Sequence, residues 1–137
     1  MNKTHYVNCI LISDDRSEIC VIFKQRGPVE VLNKFNFIGG KVENESIEHA
    51  VIREVKEETG LDLSNENISL LNTYENDFYR LDNHVVFISK AKLHQAKTCE
   101  TEKISILDIK NLQIELKELP NKYSPSFKTL LDAALNM

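Results

Sequence analysis

The sequence predicts an α/β fold in which a mixed β-sheet carries helices on both faces. Short runs rich in Val, Ile and Phe alternate with two helical patterns, one in the middle of the chain and one at its end. The 137 residues, 42% of them hydrophobic, are enough to bury one ordinary core. We therefore expect residues 1–137 to form a single domain.

The first part of the chain predicts strands at residues 6–12 and 19–23. The turn-like segment 13–17 between them makes these a hairpin or two adjacent strands. Residues 35–38 predict a short strand that leads into Gly39 and Gly40. These paired glycines therefore follow directly on a strand.

The later part of the chain predicts an antiparallel hairpin followed by a helix. Residues 68–79 predict a long strand or a bulged pair, residues 84–93 its partner, and residues 81–83 the turn. With Ser124 as N-cap and Pro125 at the first position, a terminal helix is expected through Leu135. The hairpin aromatics are expected mainly to pack, although one could line a pocket: Tyr74, Phe78 and Tyr79.

The central helix is defined by its two ends and by one apolar stripe. Ser46 is placed as the N-cap, and Gly60 is a stop of the left-handed type. Between them Ile47, Val51 and Val55 recur at a spacing of four residues, which puts them on one face. We expect this face to pack on the sheet.

Three carboxylates share another part of the same helix. Glu54, Glu57 and Glu58 stand at positions i, i+3 and i+4, so they project side by side and repel one another. A hard divalent cation would make the arrangement favourable, because Mg²⁺ and Mn²⁺ prefer carboxylate oxygens. Glu-rich helices with interspersed basic residues are also typical of solvated surfaces, and the three glutamates alone do not separate these two interpretations.

The spacing of residues from Gly39 to Leu61 favours the metal-site interpretation over the solvated surface. Counting from Gly39, there follow five residues, Glu45, seven residues, Arg53-Glu54-Val55, one residue, Glu57-Glu58, one residue, and Gly60-Leu61. This pattern resembles the full signature of the Nudix hydrolases, with every specified position filled. The resemblance implies the Nudix-type αβα sandwich, with the glycine loop and the signature helix at the catalytic rim.

Two positions depart from the usual family pattern. Members often read GGK, an apolar residue, then E-x-G-E, whereas the segment from Gly40 to Glu45 is one residue shorter and lacks the extra glycine. Ile38 replaces the proline that often precedes the paired glycines. The helix carboxylates are unaffected, but the seating of the loop and of Glu45 is left open.

The resemblance also implies roles for individual residues. Glu57 and Glu58 are expected to bind metal, Glu54 to be a ligand or the general base, and the Gly39 carbonyl to be a further ligand. Arg53 is expected to orient the glutamates through a bidentate contact, and Glu45 to pair with it.

A further glutamate is expected from the segment 99–112, which resembles a later family pattern with Ile106 in place of its tryptophan. Glu100 lies six residues before Ile106, where some members supply a metal ligand or the base, and Glu102 is its rival. Either could instead be an exposed loop carboxylate. The base is left open between Glu54 and Glu100.

The substrate-binding candidates lie close to the glycines. The run 35–42 is similar to that of the family's oxidised-purine nucleoside triphosphatases, in which an asparagine faces the base, so Asn36 could pair with a purine edge or merely satisfy loop backbone groups. Arg26 stands where the family often carries a basic residue near the substrate, and Lys41 is the third candidate.

The implied reaction is hydrolysis of a nucleoside diphosphate linked to a group X, with Mg²⁺ as cofactor and Mn²⁺ as substitute. We expect a purine nucleoside triphosphate, oxidised purines included, to be cut to monophosphate and pyrophosphate. ADP-ribose or dinucleotide hydrolysis is the alternative within the enzyme class. A non-catalytic nucleotide-sensing module on the same fold is the alternative outside it.

Composition excludes several other classes. A formal net charge of −4 and a pI near 5.6 argue against nucleic acid as a partner. The spacing of Cys9, Cys20 and Cys99 predicts neither a disulfide framework nor a zinc site. Without a signal-peptide pattern or an apolar run long enough to span a membrane, a cytoplasmic protein with a small-molecule nucleotide partner is expected. A homodimer is left open.

Overall fold

The computed structural model describes residues 3–137 and contains a seven-stranded mixed β-sheet flanked by helices. The strands are β1 (Thr4–Ser13), β2 (Glu18–Phe23), β3 (Phe35–Asn36), β4 (Ile38–Lys41), β5 (Ser69–Glu75), β6 (Tyr79–Ile88) and β7 (Ile104–Asp108). The helices are α1 (Ile47–Thr59), α2 (Lys90–Leu93), α3 (Ile109–Glu118) and α4 (Phe127–Leu135), and a 3-10 turn covers Pro120–Lys122. The predicted α/β class is confirmed.

The sheet is organised around β1. Its main order is β3-β2-β1-β6-β5, while β4 pairs with β1 and β7 pairs with β2. β1 runs parallel to β6 along its whole length, and the other pairings are antiparallel. Because β1 and β6 are parallel, the chain must cross the sheet between them. The central helix α1, which lies between β4 and β5 in the sequence, packs on one face of the sheet as part of this crossover.

Alternation along β1 builds a separate core on each face. Val7, Cys9 and Leu11 are buried in the core that α1 covers. Ile10 and Ile12 point the other way, into the core shared with α3 and α4, where Phe37 and Phe127 stack with their ring centroids 4.4 Å apart. The sheet therefore has an α1 face and an α4 face.

The predicted bounds of the central helix are confirmed. The hydroxyl of Ser46 accepts a hydrogen bond from the backbone N–H of His49, 3.1 Å away. At the other end Gly60 has a left-handed backbone, with φ of 78°, and its N–H donates to the carbonyl of Lys56. Val51 and Val55 are buried, as the stripe predicts.

The predicted turn at residues 81–83 is wrong, because these residues lie inside β6. Asp82 and Asn83 are typical turn residues, yet they are only 1% and 2% exposed. Neighbouring strands supply hydrogen bonds that offset this burial, including one of 2.7 Å between His5 and Asp82. The turn lies at residues 76–78 instead, where the Asn76 side chain accepts from two backbone N–H groups.

Other element boundaries also differ from the sequence expectation. β6 ends at Ile88, and Ser89 caps the short helix α2 where strand was expected. The terminal helix starts at Phe127, after the expected Ser124 and Pro125, and α3 was not predicted. No helix within residues 3–137 has the length and apolar character needed to cross a membrane.

The left-handed backbone at Gly60 leads to a stability prediction. Gly60→Ala should lower the free energy of unfolding by about 1 kcal/mol, because a Cβ is disfavoured at this φ. An added Cβ would meet no backbone atom closely, so the φ angle is the main cost. Thermal unfolding should shift by about 4 °C. Gly60→Asn is the matched control and should lose less, and equal losses for Ala and Asn would contradict this account.

Candidate functional site

The paired glycines allow α1 to lie against β4. A Cβ added to Gly40 would lie less than 3.0 Å from the carboxylate of Glu54, so this side chain rests on the glycine backbone. A Cβ on Gly39 would instead come within 3.0 Å of the backbone carbonyl of Val7. The first glycine therefore permits the β1–β4 pairing, and the second makes room for a site carboxylate.

Arg53 connects the glycine loop to two helix carboxylates. Its Nε donates to both oxygens of Glu45, at 3.0 and 3.1 Å, and its Nη2 donates to the Lys41 carbonyl at 2.9 Å. Its Nη1 donates to Glu54 Oε1 at 2.9 Å and to Glu57 Oε2 at 3.3 Å. The hydrogen bonds from Arg53 hold the pKa of Glu45 below its usual range. The expected Glu45–Arg53 pair is present despite the shorter loop.

Glu58 differs from the other site glutamates of this helix in the surroundings of its carboxylate. Its Oε2 is buried and finds no hydrogen-bond partner among residues 3–137. Burial, and next the charge of Glu54, raise the pKa of Glu58 to about 8, although Lys24 and a backbone hydrogen bond from Gly39 oppose the shift. A buried oxygen without a partner is costly, so this atom needs a cation or a proton.

Glu102 joins the site from the segment before β7, whereas Glu100 is exposed. The Glu102 side chain accepts from Lys24 Nζ at 3.0 Å and from the backbone N–H groups of Gln25 and Arg26. Burial by itself would raise the pKa of Glu102, but these hydrogen bonds outweigh it and lower the pKa. The charge of Glu102 acts on Glu58, so of the two candidates Glu102 is the one whose charge reaches the helix carboxylates.

The carboxylates provide the chemistry that a hard divalent cation requires. The oxygens of Glu54, Glu57 and Glu58 are ligands of the right type, and Glu58 Oε2 has no hydrogen-bond partner in the part of the chain that the structure describes. Within residues 3–137, however, no three His, Cys, Asp or Glu side chains are already grouped as a metal cage. The carboxylates of Glu54 and Glu57 are not grouped with Glu58 because both bind Nη1 of Arg53. The donor types of these residues fit a hard divalent cation, while Arg53 contacts Glu54 and Glu57 in this structure.

The three substrate-binding candidates lie in different settings. Asn36 is half-buried, and its Nδ2 donates to the carbonyls of Lys34 at 3.1 Å and Val31 at 3.4 Å, so its donor end supports the loop. Arg26 is exposed, and its backbone N–H contacts Glu102. Lys41 is exposed at the end of β4.

The sequence analysis missed a cavity of about 440 Å³ on the α4 face. β5, β6 and α4 line it, with polar groups from Asn72 and Asn83 and aromatic rings from Tyr74 and Tyr79. The aromatics were expected mainly to pack, but Tyr74 is 53% exposed. The alternation of side chains along β5 and β6 was the sequence signal that could have revealed this cavity. It was missed because residues 81–83 were predicted to form a turn and not part of β6.

Comparison with known families identifies the chain. A model of the NUDIX domain matches residues 3–130. The chain therefore belongs to the NUDIX family, and the resemblance of its signature is confirmed. No curated protein matches the sequence significantly.

Solved structures show the same fold at low sequence identity. A MutT structure from work on Aliivibrio salmonicida and Vibrio cholerae is 22% identical, with a TM-score of 0.70 over 99% of this chain and 100% of that one. The NUDIX domain of Shewanella oneidensis NrtR, solved with ADP ribose, is 15% identical, with a TM-score of 0.79 over 99% and 88%. A MutT NUDIX hydrolase from Burkholderia pseudomallei is 19% identical, with a TM-score of 0.64 over 87% and 99%.

The two glycines should respond differently to the same substitution. Gly39→Ala meets the Val7 backbone and should cost about 1–3 kcal/mol of unfolding free energy in urea titrations. Gly40→Ala meets only the end of the Glu54 side chain, so it should keep most of the stability but displace that carboxylate. Any hydrolytic activity that depends on the position of Glu54 should then fall at least tenfold. Similar stability losses for both variants would contradict the assignment.

Proposed function

We propose that the protein is a metal-dependent Nudix pyrophosphohydrolase that cuts a nucleoside diphosphate linked to a group X. The observation that carries this proposal is the buried Oε2 of Glu58, which lies on the same helix as Glu54 and Glu57 and has no hydrogen-bond partner within residues 3–137. A solvated acidic helix has no reason to bury such an atom. A helix that binds a divalent cation does have one, because the cation replaces the missing partner.

The reacting group explains why a cation is useful. A diphosphate is strongly anionic, and a bound Mg²⁺ or Mn²⁺ supplies positive charge and makes an attacking water easier to deprotonate. Glu57 and Glu58 are the proposed principal ligands, with Glu54 and the Gly39 carbonyl as further ones. Arg53 is the proposed positioning residue, since its contacts orient Glu54 and Glu57.

The further carboxylate is assigned to Glu102 in place of Glu100. Glu102 is nearly buried and its charge acts on Glu58, whereas Glu100 is exposed. Its hydrogen bonds from Gln25 and Arg26 also favour the ionised form, which a ligand or a general base requires. Glu54 is the other candidate for the base.

The proposed substrate is a purine nucleoside triphosphate, oxidised purines included. Water is added across the bond between the α- and β-phosphates, and the products are the nucleoside monophosphate and pyrophosphate. Asn36 could contribute its Oδ1 to the base, since its Nδ2 is engaged in the loop. ADP-ribose is the alternative substrate, motivated by the NrtR domain solved with that ligand. A non-catalytic sensor is the alternative outside the enzyme class.

Titration of metal into chelated protein tests the proposal. Mg²⁺ or Mn²⁺ should switch on hydrolysis of a purine triphosphate in a panel that also contains pyrimidine triphosphates, ADP-ribose and dinucleotides. The unfolding temperature should also rise, as mass action requires for a ligand of the native state. Glu57→Gln should lower kcat by orders of magnitude while the protein stays folded.

Glu48→Gln is the matched control for this experiment. Glu48 lies on the same helix, outside the signature, and is exposed. Its variant should keep full turnover. Full activity in EDTA, or an unchanged kcat in Glu57→Gln, would refute the metal site. Nucleotide binding without any turnover would instead favour the sensor.

A second pair of variants tests the assignment of Glu102. Glu102→Gln should lower kcat at least tenfold and raise the Mg²⁺ concentration that gives half activity. Glu100→Gln makes the same change two residues away, at an exposed position, and should leave both quantities unchanged. If only Glu100→Gln is impaired, the original expectation was right and the proposed role of Glu102 is wrong.

A further inference from the structure

Strand β5 forms one edge of the sheet, and its outer side carries little protection against pairing. Natural edge strands usually carry lysine, proline or several charges that block the approach of another strand. β5 contains neither lysine nor proline, and its one charged residue, Glu75, is neutralised by Lys3 at 3.3 Å. Its one bulge lies near the start, between Leu70 and Asn72. The stretch 72–75 is therefore open to a further strand.

The pairing of β5 with β6 shows which backbone groups face outwards. The N–H of Asn76 donates to the carbonyl of Tyr79, so this is a hydrogen-bonded pair. Such pairs alternate along an antiparallel ladder, and Tyr74 therefore also bonds to β6. Thr73 and Glu75 stand at the alternate positions, and their N–H and C=O groups point away from β6. The edge thus presents a regular set of donors and acceptors.

Exposed apolar side chains gather at the same edge. Leu70 and Tyr74 on β5 are 56% and 53% exposed, and Phe78 in the following turn is 76% exposed. Five of the seven residues of β5 are exposed, whereas four of the five residues of β7, a strand that pairs with β2, are half-buried. Open backbone groups and apolar side chains together are typical of a strand that pairs with another chain.

We propose that β5 is a homodimer interface, in which the β5 strands of two copies pair antiparallel about a two-fold axis at Thr73. A residue with outward-facing groups must meet another of the same kind, and on this axis Thr73 meets its own copy. The seven-stranded sheet of each copy then continues across the dimer. The proposal does not depend on the proposed function.

The side chains beside the axis complement one another, which favours a second copy over a foreign strand. This register places Asn72 of each copy directly opposite the partner's Tyr74, on the same face of the joined sheet. The Oδ1 of Asn72 accepts from Asn83 at 2.9 Å, so its Nδ2 is the part of the amide that can donate to the partner's Tyr74 hydroxyl. The two-fold axis makes this contact twice.

Sedimentation of the parent protein over a range of concentrations tests for the dimer. An edge pairing of this length buries a small interface, so we expect a dissociation constant of about 10 μM. Between about 1 and 200 μM the mass should rise from near the 15.8 kDa of one chain towards twice that value. A protein that stays monomeric over this whole range overturns the proposal.

Two lysine substitutions at equally exposed apolar positions test the place of the interface. Tyr74→Lys puts two like charges close together across the axis and should raise the dissociation constant at least tenfold. Ile114→Lys, on α3 and 56% exposed, is the matched control and should leave it unchanged. Thermal unfolding checks that both variants are folded. A dimer that Tyr74→Lys leaves intact, or that Ile114→Lys dissociates, does not form through β5.

Disulfide trapping tests the register, in a Cys99→Ser background because Cys99 is the exposed free cysteine. Residues of a hydrogen-bonded antiparallel pair have Cα atoms about 5.5 Å apart, within the range that a disulfide spans. Thr73→Cys should therefore form a disulfide-linked dimer under mild oxidation. Glu75→Cys is the matched control on the same edge, because its two copies would lie about 14 Å apart and should not cross-link. Cross-linking of Glu75→Cys in preference to Thr73→Cys overturns the proposed axis.

Discussion

The guanidinium of Arg53 determines where the carboxylates of the signature helix lie. It binds Glu45 through two nitrogens and reaches Glu54 and Glu57 with a third. Helix neighbours of like charge repel, and a shared cation offsets that repulsion. Glu58 is not among the carboxylates that Arg53 bonds, and among the described residues its buried Oε2 has no partner, at the position where a metal ion is proposed.

The two glycines of strand β4 face opposite sides of the sheet. Gly40 faces α1 and lets Glu54 rest on its backbone, whereas Gly39 lies against Val7 and Asn8. The glutamates of α1 and the cavity lined by α4 therefore lie on opposite faces of the sheet.

The elements with local signals were predictable. The helix between Ser46 and Gly60 follows from a cap, a periodic stripe and a stop, all of which act over a few residues, and the structure confirms each. Asp82 and Asn83 were misassigned to a turn because their burial depends on partners on β1 and β5 that are remote in the chain. Local propensity favours a turn there, and cross-strand hydrogen bonds override it.

The sequence by itself determined the family and the spacing of the three helix carboxylates. Helix geometry sets that spacing before any tertiary contact forms. Only the tertiary structure decided that Glu58 is buried, that Glu102 is buried while Glu100 is exposed, and that Asn72 joins Asn83 in a cavity. These depend on strand order and register, which bring together residues far apart in the chain and cannot be read from local spacing.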